Sequence, residues 1–215
     1  MKAVIFDMDG VLIDSEPLHD LSDKTLLKRL NIETPENYLN KYIGVTNPVM
    51  WKEIINDFHI EKDLQEILNI ELSLKLKLLK NGDYSAIEGI PELLKTLYKH
   101  NIPIAVASSS SSIFIKEVLK KLKIEKYITV SVSGESIEKS KPEPDIFLKT
   151  AELLHVNPEE CIVIEDSRNG VIAAKSAGMR CIGFQNMNSG NQDLSKADII
   201  VNTIKEITIE KMGDI

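Results

Sequence analysis

Apolar residues come in two rhythms along this chain, and the change from one to the other divides it. Residues 2–6 are a short run rich in β-branched side chains that ends in Asp7, Asp9 and Gly10, the pattern of a buried strand that carries carboxylates to its C-terminal edge. From about residue 14 to 85 the spacing turns helical. Leu18, Leu21, Leu26, Leu27 and Leu30 begin it, Ile54, Ile55, Phe58, Leu64, Ile67 and Leu68 continue it, and Leu72, Leu74, Leu76, Leu78 and Leu79 close it. Asn31, Pro35, Gly44, Pro48 and the Asn81-Gly82 pair punctuate this stretch, which predicts a module of about three to five helices and no strand. Lys75, Lys77 and Lys80, near its end, fit a solvated helix face.

Beyond residue 87 strand and helix alternate. Pro91 suits the first turn of a helix running to about residue 100. Strands are predicted at 102–107, 128–132, 161–165, 181–184 and 199–201, and helices at 112–122, 144–155 and 169–177, the last ended by Gly178. Because these strands are unbroken apolar runs, both of their faces are expected to be buried, in an α/β fold with a parallel sheet sandwiched by helices. The core then comprises residues 1–14 and 86–215. Residues 15–85 form an inserted helical cap, rooted where a lid over the carboxylate edge would start, with hinges near 14–16 and 81–87.

Composition narrows the partners. The 215 residues carry 26 basic and 33 acidic side chains, a net charge of −7, which argues against a nucleic-acid or anionic-membrane surface but leaves room for a small anion at a local positive centre. Cys161 and Cys181 each open an apolar run, and the four histidines (19, 59, 100 and 155) are scattered. Buried free thiols in a reducing compartment are expected, and no zinc site. The chain opens on its first strand and has no apolar run near the ~18 residues of a membrane span, so a cytoplasmic protein with neither signal peptide nor membrane partner is expected.

The strand ends carry the candidate chemistry, since ligands of open α/β sheets bind outside the carboxyl ends of the strands. Asp7 and Asp9 repel each other unless a cation or a shared proton joins them. Ser108 follows the second strand, where its hydroxyl and the following backbone N–H groups at Ser109 suit a phosphate oxygen, while Ser110, Ser111 and Ser112 read as helix caps. Lys141 stands between Ser140 and Pro142, with Pro144 beyond, so its ammonium is held in place. Glu165 and Asp166 form a second acidic pair, followed by Ser167. Together with Asp7 and Asp9 they make an oxygen-rich site suited to Mg2+.

Four stretches in order, Asp7-Met-Asp-Gly-Val-Leu-Ile-Asp-Ser15, Ala107-Ser108, Ser140-Lys141-Pro-Glu-Pro-Asp-Ile-Phe147 and Ile164-Glu165-Asp166-Ser167, resemble the motifs of the haloacid dehalogenase superfamily. The branch they resemble contains β-phosphoglucomutase and small sugar phosphatases with a helical cap. The resemblance implies a Rossmann-like core and a Mg2+-dependent phosphatase acting on a small phosphorylated metabolite, with a phosphosugar mutase as the alternative. It also implies Asp7 as nucleophile and Asp9 as general acid/base. Asp7, the Asp9 carbonyl and Asp166 would be metal ligands, with Glu165 as a further ligand or their partner, and Ser108, Ser109 and Lys141 would bind the phosphoryl group. Asp9 speaks against a dehalogenase, whose relatives lack that acid/base.

The cap loop Gly44-Val45-Thr46-Asn47 has Asn47 where the mutase pattern has arginine, and the serine run lacks the mutase's lysine and asparagine. His19, in contrast, stands where the mutase has a hinge histidine. A phospho-accepting receiver module is a further reading, but such modules are far shorter and lack a helical insertion. A monomer is expected.

Overall fold

The computed structural model describes residues 1–35, 38–42 and 46–215. It divides into two compact units, one of Met1–Asp14 with Tyr84–Ile215 and the other of Ser15–Asp83.

The first unit is built on six parallel strands: β1 (Ala3–Phe6), β2 (Ile104–Ser108), β3 (Val130–Ser133), β4 (Cys161–Glu165), β5 (Arg180–Phe184) and β6 (Ile199–Val201). Their order is β3-β2-β1-β4-β5-β6. The topology therefore reverses at β1, and Phe6 pairs with Val106 of β2 on one side and Ile164 of β4 on the other. A crevice for ligands forms at such a reversal, outside the carboxyl ends of the strands. Ala3, Ile5, Ala105, Ala107, Cys161 and Val163 point into one core with residues from the helices α6 (Asp145–Leu154) and α7 (Arg168–Ser176). Val4, Phe6, Ile104, Val106, Ile162 and Ile164, which alternate with them, are buried as completely. That two-sided burial is why β1, β2 and β4 carry no polar alternation, whereas the edge strand β3 alternates Val130-Ser131-Val132-Ser133 with Ser131 exposed. Helices α4 (Ile90–Lys99) and α5 (Ser112–Lys121) pack against β2 and β3 respectively, and a short α8 (Ile209–Gly213) follows β6.

Helix starts are set by local chemistry. Ser111 accepts the Phe114 N–H at the start of α5, and Ser167 accepts the Gly170 N–H at the start of α7, each satisfying an otherwise orphaned donor. Cys161 and Cys181 are free and buried. Where the chain leaves and re-enters this unit, Ile13 bridges Ala86 and the Ile87 N–H donates to the Leu12 carbonyl at 3.0 Å.

The second unit holds α1 (Glu16–Arg29), a 3-10 turn at Tyr38–Tyr42, α2 (Asn47–Asp57) and α3 (Leu64–Asn81), and no strand among its described residues. It has its own apolar core of Leu26, Leu27, Tyr42, Met50, Trp51, Ile54, Ile67 and Leu74. Beside that core lies a buried polar cluster. Asp23 of α1 and Glu71 of α3 are packed together, Lys75 pairs with Glu71 at 2.7 Å, and the Asn47 side-chain amide donates to Glu71. Lys75 is therefore not on a solvated face: a glutamate one turn earlier draws it inward. Burial first, then the neighbouring Glu71 charge, pushes the Asp23 carboxyl up to about 8. Gly44 and Val45 of the cap-loop motif lie outside the described residues. Among the described residues no helix is long and apolar enough to cross a membrane.

Candidate active site

Four loops at the carboxyl edge of the sheet meet around β1, and a fifth braces them. Asp7 prolongs β1 by donating its N–H to the Ile164 carbonyl at 3.0 Å. The chain then turns tightly, with the N–H groups of Val11, Leu12 and Ile13 all directed at the Met8 carbonyl and Gly10 N–H donating to Ile13. Gly10 has φ +78°, and a Cβ there would lie 2.0 Å from Asp166 Oδ2. Only glycine gives both the backbone conformation and the room.

Lys141 reaches the same point from the loop after β3, through a cis Lys141-Pro142 peptide. Its Nζ donates to Asp7 Oδ1 at 2.6 Å, to Glu165 Oε1 at 2.8 Å and to the Ala107 carbonyl at 3.2 Å. Burial opposes the ammonium charge, but the Asp7 and Glu165 carboxylates outweigh it and hold the lysine pKa above its ordinary value. The other Glu165 oxygen accepts the Ser167 N–H and hydroxyl at 2.8 and 2.9 Å. Gly170 makes space for that carboxylate, since a Cβ there would fall 1.6 Å from Oε1. Protein donors thus engage both Glu165 oxygens.

Asp9 is held differently. Its Oδ2 accepts the hydroxyls of Ser108 at 3.0 Å and Ser110 at 2.8 Å, and the Ser110 N–H donates back to Ser108 Oγ at 3.0 Å. Of the serine run, only Ser111 caps α5: Ser110 joins Asp9, and Ser112 bonds Glu135. The Ser108 hydroxyl, expected to face a phosphate, here serves Asp9. Ser109 is exposed, and its backbone lies against Gly134.

Asp7 and Glu165 thus share one ammonium, and Asp9 and Asp166 lie near enough for their charges to act on Asp7. Burial pushes Asp7 well above the usual carboxylate range; Lys141 opposes this, and the charges of Glu165, Asp166 and Asp9 add to it. Asp166 is pushed up to about 8 by burial and then by Glu165, against the hydrogen bond from Ser189. Among the described residues no three acidic, histidine or cysteine side chains form a closed metal cage. Mg2+ does not require one, because it is commonly held by one or two carboxylates with the rest of its shell from water and substrate. The hard oxygens and surplus negative charge of this donor set fit such a cation.

Sequence reasoning did not find the loop after β5. There Asn186 donates to the Gly10 carbonyl at 2.8 Å, Asn188 to Asp14 Oδ2 at 2.5 Å, and Ser189 to Asp166 Oδ2. The polar run after a buried strand was the available signal, the same one that marked the other four loops.

A sheet that reverses at its central strand, with an aspartate pair at that strand's end and a lysine and second acidic pair from later loops, is the arrangement of a phosphoryl-handling α/β enzyme. The model of the haloacid dehalogenase-like hydrolases matches residues 4–184, and the chain belongs to that family of hydrolases. It is 32% identical over 220 residues to the phosphorylated carbohydrates phosphatase of Thermotoga maritima, covering 96% of this chain and all of that one. It is 31% identical to the β-phosphoglucomutase of Bacillus subtilis, covering all of this chain and 95% of that one. Among solved structures, a family IA haloacid dehalogenase hydrolase from Entamoeba histolytica superposes with a TM-score of 0.87 at 30% identity, over all of this chain and 98% of that one.

Proposed function

We propose that this hydrolase is a phosphoric monoester hydrolase that cleaves a small sugar phosphate through an aspartyl-phosphate on Asp7. The observation that carries the reading is the unequal treatment of two aspartates two residues apart. Asp7 is held through one oxygen by a buried lysine, as suits a nucleophile beside incoming negative charge. Asp9 is held by two hydroxyls, as suits a group that must give and take a proton at a fixed point.

In the first half-reaction an Asp7 carboxylate oxygen bonds to phosphorus. The bond from phosphorus to the sugar oxygen breaks, and Asp9 gives that oxygen its proton. In the second, Asp9 takes a proton from water, the water oxygen bonds to phosphorus, and the bond to Asp7 breaks to regenerate the carboxylate. Lys141 balances charge between Asp7 and the phosphoryl oxygens, the Ser109 N–H contributes a donor to those oxygens, and the Ser108 hydroxyl holds Asp9 beside them. Mg2+, held by Asp7, Asp166 and the Asp9 carbonyl, would offset the charge on the phosphoryl group. Glu165, with both oxygens engaged, keeps Lys141 in place rather than serving as a ligand.

The name of the Thermotoga relative supports the sugar-phosphate class. Choice among such substrates is assigned to the Ser15–Asp83 unit, which is inserted directly after the nucleophile's turn. A mutase is the second reading, favoured by the full-length match to the Bacillus enzyme. Against it, Asn47 replaces the arginine of the mutase pattern and is bonded to Glu71.

Release of inorganic phosphate from a panel of sugar phosphates, with Mg2+ and with EDTA, tests the proposal. Metal-dependent release is expected. Conversion of β-glucose 1-phosphate to glucose 6-phosphate without phosphate release would replace it with the mutase.

A further inference from the structure

The loop after β5 touches three separate parts of the site, and each contact is made by a different side chain. Asn186 and Ser189 are each 8% exposed. The loop braces itself: the Asn188 N–H donates to Asn186 Oδ1 at 2.9 Å and the Ser189 N–H to the Asn186 carbonyl at 3.2 Å. Gln192 then ties it to the start of α7, donating to the Ser189 carbonyl at 3.0 Å and accepting the Arg168 N–H at 3.1 Å. Ser189 is therefore a fixed donor, not a rotor on a loose loop. A Cβ on Gly10 would meet Asp166 Oδ2 at 2.0 Å and Ser189 Oγ at 2.8 Å, so the catalytic turn, Asp166 and Ser189 are in mutual contact.

We propose that Ser189 is the positioning residue for Asp166, setting which carboxylate oxygen it presents to the divalent cation; this rests on the Mg2+ reading above. An aspartate carboxylate turns about two single bonds, and its two oxygens are chemically equivalent. Ser189 removes the equivalence by holding Oδ2, while Gly10 closes the space on that same side. The other oxygen is left as the one to bind metal. Partners of metal ligands that fix orientation in this way commonly change metal affinity by about 10- to 100-fold when lost.

Mg2+ binding to the whole protein by titration calorimetry, with no substrate present, tests this. The unaltered protein should bind one Mg2+. Ser189→Ala should bind it about 10- to 100-fold more weakly, and Ser189→Thr, which restores the hydroxyl, should return affinity to within about threefold of the original. Phosphate release by Ser189→Ala should need correspondingly more Mg2+ for half-maximal rate, with kcat at saturating metal within a few-fold of the original. Should Ser189→Ala fail to fold, Ser189→Cys, nearly isosteric and a weak donor, is held to the same tenfold criterion. Equal affinity in the original and the hydroxyl-free variant overturns the role of Ser189 alone. Absence of Mg2+ binding by the unaltered protein overturns the metal reading and this inference with it.

Discussion

Replacing Asp7 by asparagine should inactivate the enzyme and, without metal, make it more stable. Asp7 is 7% exposed, and burial together with the Glu165, Asp166 and Asp9 charges pushes its pKa well above the usual range despite Lys141 at 2.6 Å. An acid with a raised folded-state pKa contributes stability that is present below its unfolded pKa and lost as pH rises through the folded one. At high pH the charged form is therefore a burden on the fold. Asparagine keeps an oxygen for the Lys141 ammonium, so that bond stays charge-assisted, at about 1.5–3 kcal/mol, although the ion pair is lost. It also removes one buried charge from the cluster. The net expectation in EDTA, at a pH above the raised pKa, is a gain of roughly 1–3 kcal/mol, on the scale of about 1.4 kcal/mol for each pH unit by which folding raises a pKa. Urea unfolding followed by far-UV circular dichroism reads it, as a midpoint higher by about 0.5–1.5 M for a slope of about 2 kcal/mol/M. Trp51 lies in the Ser15–Asp83 unit, so its fluorescence should show a transition that does not move. Phosphate release should fall by at least about 10⁴-fold. A lower urea midpoint for Asp7→Asn in EDTA would refute the claim that the carboxylates outweigh their lysine.

Three other perturbations probe the same physics. Lys141→Met leaves Asp7 and Glu165 buried without their shared cation and should cost about 3–5 kcal/mol in the same unfolding assay; adding Asp7→Asn should recover part of that loss, and simple additivity would count against the coupling. Gly10→Ala forces a φ of +78° on a residue whose Cβ would overlap Asp166 Oδ2; phosphate release should be lost and stability should fall by roughly 1–3 kcal/mol. Asp23, raised to about 8 by burial and then by Glu71, contributes stability that is full below its unfolded pKa and fades as pH climbs towards 8. Asp23→Asn should therefore be nearly neutral near pH 4 and increasingly stabilising from there to about pH 8, levelling off above it, when Trp51 fluorescence is followed in urea, and an advantage that does not grow over that range would contradict the assignment.

The middle of the sheet was readable because strands buried on both faces have little polar sequence to confuse their limits, and β4 (Cys161–Glu165) begins and ends where its apolar run does, as does the edge strand β6 (Ile199–Val201) although Ile200 is exposed. β3 starts two residues later than its run, at Val130, because the preceding residues belong to the turn around Tyr127. Asp7, Lys141, Glu165 and Asp166 were legible for a related reason: each follows a strand end, and the structure brings Lys141 onto both Asp7 and Glu165. What stayed hidden depends on partners far apart in the chain. Nothing local distinguishes Ser110 bonded to Asp9 from a serine that caps a helix, or Asn186-Met-Asn-Ser189 bracing the site from a solvated turn. Lys75 and Glu71 have the spacing of any surface pair on a helix, and only the packing of Asp23 and Asn47 around them makes the pair a buried one.

The central place of β1 also bears on how the molecule is made. β1 pairs with β2 and β4, through residues about 100 and 158 positions later in the chain. Parallel pairing over such separations is slow, because a long loop must close before any contact rewards it. Until Cys161–Glu165 has been synthesised, β1 lacks one of its neighbours and its apolar side chains have no finished core to enter. The Ser15–Asp83 unit, whose contacts are local and whose core is its own, is able to fold meanwhile on the growing chain. A nascent chain stopped short of residue 165 should thus carry a folded helical unit and an unstructured, chaperone-binding remainder. Activity should arise all at once after β4 has been made, with no partly active precursor.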